Sequence, residues 1–90
     1  MEEYSSYHNL GNGYYMRRTE WFICGNPVKA KEKHFRPDGR CVYVKEYTSD
    51  GKVTYEEWRN WWENGELKGL YNSEGFKQEF TWDGLPIKEG

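Results

Sequence analysis

Six dipeptides punctuate this chain at short intervals: Gly25-Asn26, Asp38-Gly39, Asp50-Gly51, Asn64-Gly65, Glu74-Gly75 and Asp83-Gly84. Asn-Gly and Asp-Gly suit type I′ hairpin turns, whose two central residues need positive φ, and Gly-Asn suits type II′. Between them lie short segments rich in Tyr, Trp, Phe, Val and Thr. Such spacing predicts a mainly β fold, an antiparallel meander of about six short strands joined by tight glycine turns. Pro27 and Pro37 sit beside turns, where a missing N–H costs little.

Treating every turn as a two-residue loop sets a register. Glu32 then faces Lys45, Lys31 faces Glu46, and His34 faces Tyr43. Across the next turns Tyr43 faces Trp58, Lys45 faces Glu56, and Trp58 faces Tyr71. Nearer the C-terminus Trp62 faces Leu67, Leu67 faces Trp82, and Trp82 faces Leu85. Opposite charges meet and rings meet rings, which are the pairings that stabilise sheets. Phe80 and Ile87 fall on the same face as these rings, and Lys68, Asn72, Lys77, Glu79 and Thr81 fall on the other.

Residues 55–64 carry a second reading. Thr54-Tyr55-Glu56-Glu57 fits a capping box, and Tyr55, Trp58, Trp61 and Trp62 recur at helical spacing. A short helix there, stopped at Gly65, makes the fold α+β and supplies a second layer. Residues 1–13 show no periodicity and read as a flexible arm or an edge covering anchored by Tyr4, Tyr7 and Leu10, leaving 14–90 as one β-rich domain.

Ninety residues allow one domain with a thin core. At 31% charged and a mean hydropathy of -1.16, the chain is polar enough to suggest disorder. Five Trp, eight Tyr and four Phe argue against it, since each buried ring removes roughly 150–250 Å² from water. No apolar run approaches the ~20 residues of a membrane span, and the acidic N-terminus is no secretory signal, so a cytoplasmic protein is expected. Residues 14–45 hold eight cations against three acids, whereas 46–90 hold five against ten. That asymmetry reads either as an ordinary solvated surface or as a dipole that steers partners.

Catalytic signatures are missing from the sequence, with no HExxH, GxSxG, P-loop or GxGxxG. Cys24, Cys41, His8 and His34 lack metal-ligand spacing, so no metal or cofactor is expected. In a meander the two thiols lie too far apart for a disulfide, which needs Cα atoms within ~7 Å. Glu56, Glu57, Glu63 and Glu66 beside turns read as solvated carboxylates rather than an acid–base pair. The chain is expected not to be an enzyme.

The stretch Trp58-Arg59-Asn60-Trp61-Trp62-Glu63-Asn64-Gly65-Glu66-Leu67-Lys68-Gly69, followed by Tyr71 and Gly75, resembles the variant MORN repeats of YwqK-type proteins. There, aromatics precede an E-N-G turn, then Leu-Lys, another aromatic and another glycine turn. The resemblance implies stacked β-hairpins and a protein- or lipid-binding role of the kind described for antitoxins. It assigns no functional residue.

A ring-rich, acidic, non-catalytic domain points to binding. Trp and Tyr dominate protein interface hot spots, so Tyr43, Trp58, Trp62, Tyr71 and Trp82 are the candidate contacts with another protein. The expected role is a stoichiometric inhibitor, antitoxin or adaptor of viral or mobile-element type. An alternative is single-stranded nucleic-acid binding, with Lys29, Lys31 and Lys33 on one face of a strand as backbone contacts. A third is a homodimer that covers the ring face with itself.

Overall fold

The computed structural model describes residues 1–88. They form one antiparallel sheet of eight strands in chain order. The strands are β1 (Glu2–Gly11), β2 (Tyr14–Ile23), β3 (Asn26–Phe35), β4 (Cys41–Thr48), β5 (Val53–Trp61), β6 (Leu67–Asn72), β7 (Lys77–Phe80) and β8 (Pro86–Ile87). The meander is as expected, with eight strands rather than six.

The molecule measures 48 × 32 × 18 Å. The shortest dimension is the thickness of a single sheet with its side chains, since stacking a second sheet would add ~10 Å between backbones. Among the described residues only Thr19, Ala30, Val44 and Gly69 are buried. The first three lie mid-strand in the adjacent strands β2, β3 and β4, and Gly69 lies in β6. Without a second layer, cohesion comes from side chains lying against their lateral neighbours on each face.

Two predicted elements are corrected. Residues 1–13 are not an unstructured arm: Glu2–Gly11 pairs with β2 along its length, through a turn at Asn12-Gly13 with φ of 54° and 82°. Residues 55–64 do not form a helix. β5 is extended and ladders with β4 on one side and β6 on the other, so its rings meet partners laterally.

The turn chemistry also differs from expectation. At Asp50-Gly51 the Thr48 N–H donates to the Lys52 carbonyl at 2.9 Å, and the Gly51 N–H donates to the Thr48 carbonyl at 2.9 Å. The loop is thus three residues, Ser49-Asp50-Gly51: a type I turn whose last residue is left-handed and starts a bulge. The Asp50 carboxylate braces it by accepting from the Thr48 hydroxyl and the Lys52 N–H. The same backbone pattern closes the hairpins at Gly39, Gly65, Gly75 and Gly84. Between β2 and β3 the turn is Cys24-Gly25, with φ of 51° and 81°, instead of Gly25-Asn26.

These loops explain which registers hold. In the β3–β4, β4–β5 and β5–β6 hairpins a bulge near the turn shifts the ladder by one, restoring the pairs a two-residue loop would give. His34–Tyr43, Tyr43–Trp58, Trp58–Tyr71, Glu32–Lys45, Lys31–Glu46 and Lys45–Glu56 are all lateral partners. No such shift follows in β6–β7 or β7–β8, and their ladders stay offset by one residue. On the turn side of the β5–β6 bulge Trp61 rather than Trp62 faces Leu67, and with the offset in the last two hairpins the pairs Leu67–Trp82 and Trp82–Leu85 do not form. The one-residue slip also moves Lys77 and Glu79 onto the face of Tyr71 and sends Phe80 to the other face.

Gly51 gives a clean test of the turn. Its φ is 90°, and a Cβ there would meet nothing within 4 Å. Gly51→Ala is expected to cost about 1–2 kcal/mol, purely from backbone strain. Gly51→Asn is expected to cost less, because asparagine tolerates the left-handed region. Equal melting temperatures for the wild type and Gly51→Ala would contradict the assigned turn.

Candidate functional site

The two faces of the sheet carry different chemistry. One is the ring face. A row runs laterally through Met16, His34, Tyr43, Trp58 and Tyr71. The His34 and Tyr43 rings meet edge-on at 5.2 Å, and Tyr43 lies 5.9 Å from Trp58. Trp58, at the centre of the predicted contact set, is 41% exposed.

A polar row flanks the rings: Arg18, Glu32, Lys45 and Glu56 are successive lateral neighbours. Glu32 is its hub. Its carboxylate accepts from the Tyr47 hydroxyl at 2.6 Å, lies 3.3 Å from an Arg18 guanidinium nitrogen, and lies 3.6 Å from His34 Nε2. Burial pushes the Glu32 carboxyl up, but the bonds from Tyr47 and His34 and the charges of Arg18 and Lys45 outweigh it and hold it below its ordinary value. Tyr47 is pushed up to about 12, by burial first and then by its bond to Glu32. Tyr43 reaches about 12 in the same way, by burial and by its 2.6 Å bond to Glu56. Arg18 and Lys45 each sit 5.4 Å from the Tyr47 ring centre.

The five predicted protein-contact rings sort into two groups. Tyr43, Trp58 and Tyr71 stand side by side as expected. Trp62 and Trp82 lie just beyond the ends of β5 and β7 and meet edge-on at 5.6 Å. Trp62 Nε1 donates to the Phe80 carbonyl at 3.2 Å, and Lys68 Nζ lies 4.7 Å from its ring centre. Trp82 is 51% exposed.

The other face is basic over β2 and β3. Lys29, Lys31 and Lys33 alternate along β3, opposite Trp21, Thr19 and Arg17 of β2. These six residues, with Glu3 and Glu46, line a groove of about 250 Å³. Arg17 and Lys33 face each other directly, a like-charge pair that disfavours pairing by up to about 1 kcal/mol. The Arg17 Nε is buried without a hydrogen-bond partner among the described residues. Lys29 Nζ lies 4.9 Å from the Trp21 ring centre, and Lys31 Nζ lies 3.9 Å from Glu46. The next pair along these strands, Tyr15 and Phe35, is stacked at 4.9 Å with planes 14° apart.

Sequence reasoning placed the three lysines on one face with Arg17 nearby, but did not set Arg17, Thr19 and Trp21 opposite them, and missed Glu32 and Tyr47 as a polar centre. The alternation Tyr15, Arg17, Thr19, Trp21 was the available signal. It acquires meaning only when β2 is laid in register against β3.

Cys24 and Cys41 are free thiols at opposite ends of β3, roughly 30 Å apart at ~3.3 Å per residue. Cys41 Sγ donates to the Tyr43 carbonyl at 3.6 Å. Among the described residues no group of three or more His, Cys, Asp or Glu is placed to hold a metal ion. No helix among them is long and apolar enough to cross a membrane. No family model matches the chain, and neither a curated protein nor a solved structure does so, which leaves the two faces as the guide to function.

Proposed function

We propose that this chain is a non-enzymatic protein-binding module, acting as a stoichiometric inhibitor, antitoxin or adaptor, and that its ring face is the contact surface. One observation carries the reading: a one-layer sheet leaves the row His34, Tyr43, Trp58, Tyr71 without a covering layer, and Trp58 stands 41% exposed within it. Domains ordinarily bury a sheet face against a second layer. A partner protein with an apolar patch supplies that layer here. Tyr43 is bonded to Glu56 and Tyr47 to Glu32, so docking strands neither hydroxyl. The rings are rigid and large, which limits the entropy lost on binding.

The test is a photo-crosslinker placed at position 58, compared with one at position 55 on the opposite face. Cross-links to a different protein from position 58 alone are expected. Against that partner, Trp58→Ala is expected to weaken binding about 30-fold or more, the ~2 kcal/mol of a hot-spot ring. Cross-links only between copies of this chain, with a dimer in sedimentation, would replace the reading with self-association. Equal cross-linking from both positions would remove the ring face from consideration.

A further inference from the structure

We propose that the basic groove on the opposite face is a binding site for single-stranded nucleic acid. Four cations, Arg17, Lys29, Lys31 and Lys33, line one groove, and Glu46 reaches only Lys31, at 3.9 Å. Among the described residues Arg17, Lys29 and Lys33 have no carboxylate within ion-pair distance. Direct opposition of Arg17 and Lys33 works against the sheet's own stability. An arrangement that breaks a local pairing rule marks a place where something other than folding is served.

Rings on the same face narrow the anion to one class. Trp21 is part of the groove, and the stacked pair Tyr15–Phe35 lies two residues along from Arg17 and Lys33. Sites that hold single strands combine a cationic groove for the phosphates with aromatic faces for the bases. Only unpaired bases can leave their stack to lie on a protein ring. Lysines at alternate positions of a strand recur every ~6.6 Å, which gives a linear backbone a series of contacts. An acidic protein segment satisfies the cations but makes no use of Trp21 and the Tyr15–Phe35 stack.

The test is anisotropy of a fluorescent oligothymidylate of about 12 nucleotides, titrated with the full chain across a salt series. Binding is expected at low salt, with log affinity falling against log salt at a slope near −3, as about four neutralised phosphates predict. Lys33→Glu gives the sharpest outcome. It converts the like-charge pair with Arg17 into a cross-strand ion pair, so it is expected to raise the melting temperature while weakening binding about ten-fold or more. Trp21→Leu is expected to weaken binding about ten-fold through lost stacking. Lys52→Gln, in the β4–β5 turn and outside the groove, is expected to leave binding unchanged. Absence of binding at low salt overturns the proposal. So does undiminished binding by Trp21→Leu, which would reduce the site to charge alone. Displacement of the oligonucleotide by an equal concentration of polyglutamate assigns the groove to an acidic protein instead. The two faces are tested separately, so failure here leaves the ring face untouched.

Discussion

Glu32→Ala is expected to lower the melting temperature by about 10–20 °C, the largest loss from any single truncation of this sheet. Glu32 ties three strands together: Arg18 reaches it from β2, His34 from its own strand β3, and Tyr47 from β4. Its side chain is 18% exposed, so these bonds are partly shielded from water. Removing the carboxylate leaves a tyrosine hydroxyl and a guanidinium short of an acceptor, at about 2–3 kcal/mol. In a domain of this size each kcal/mol moves the midpoint by roughly 4–8 °C. Glu32→Gln keeps an acceptor for Tyr47 and is expected to lose about half as much. Acid titration checks the same contact. The folded Glu32 carboxyl is held below its ordinary value of 4.5, so its contribution is complete above that pH and disappears as pH falls through the folded value. Glu32→Ala is expected to flatten the acid limb of the stability curve. If both variants melt with the wild type, Glu32 is not the polar centre of the ring face.

At the alkaline end the effect is of similar size. Tyr43 and Tyr47 are both raised from 10.0 to about 12, so the fold favours their neutral forms. An unfolded chain loses these protons from about pH 10, whereas the native sheet holds them. Stability from both is therefore complete below about pH 10 and is lost as pH climbs toward 12. Each contributes at most about 2–3 kcal/mol, less what solvent screening removes. Urea unfolding between about pH 8 and pH 12 is expected to show a steep fall that becomes shallower in Tyr47→Phe. Tyrosinate absorbance gives an independent check. Appearance of every tyrosinate near pH 10 while the sheet remains folded would refute the assigned hydrogen bonds to Glu56 and Glu32.

Legibility of the chain depended on how far each residue lay from a turn. Mid-strand pairs such as His34–Tyr43 and Tyr43–Trp58 followed from alternation and charge matching alone. Errors gathered at the turns. Asn12-Gly13 is a hairpin signal of the same kind as the others, yet the surrounding residues lack apolar alternation because every residue of β1 is exposed. An edge strand on a single-layer sheet has no buried face to leave a pattern in the sequence. At the β2–β3 turn, a Gly25-Asn26 loop would place Arg18 opposite Lys33. The Cys24-Gly25 turn, with a register shift between Trp21 and Phe22, places Arg17 there instead. One residue of slip moves a cation from one face to the other, which is why the groove could not be read from the lysines alone.

Glycines, acidic and amide turn residues and ring-rich segments determined by themselves that this chain runs back and forth as adjoining strands. Each of those signals acts over a few residues: a left-handed turn position favours glycine, and β-branched or aromatic side chains fit a pleated surface. Tertiary structure alone decided the count of residues per loop, the placement of bulges, and hence the membership of each face. Those features follow from hydrogen bonding between strands, where a shift of one position is cheap for the backbone but transfers whole rows of side chains across the sheet. The separation of a hydrogen-bonded ring face from a face of mutually repelling cations is a product of that register.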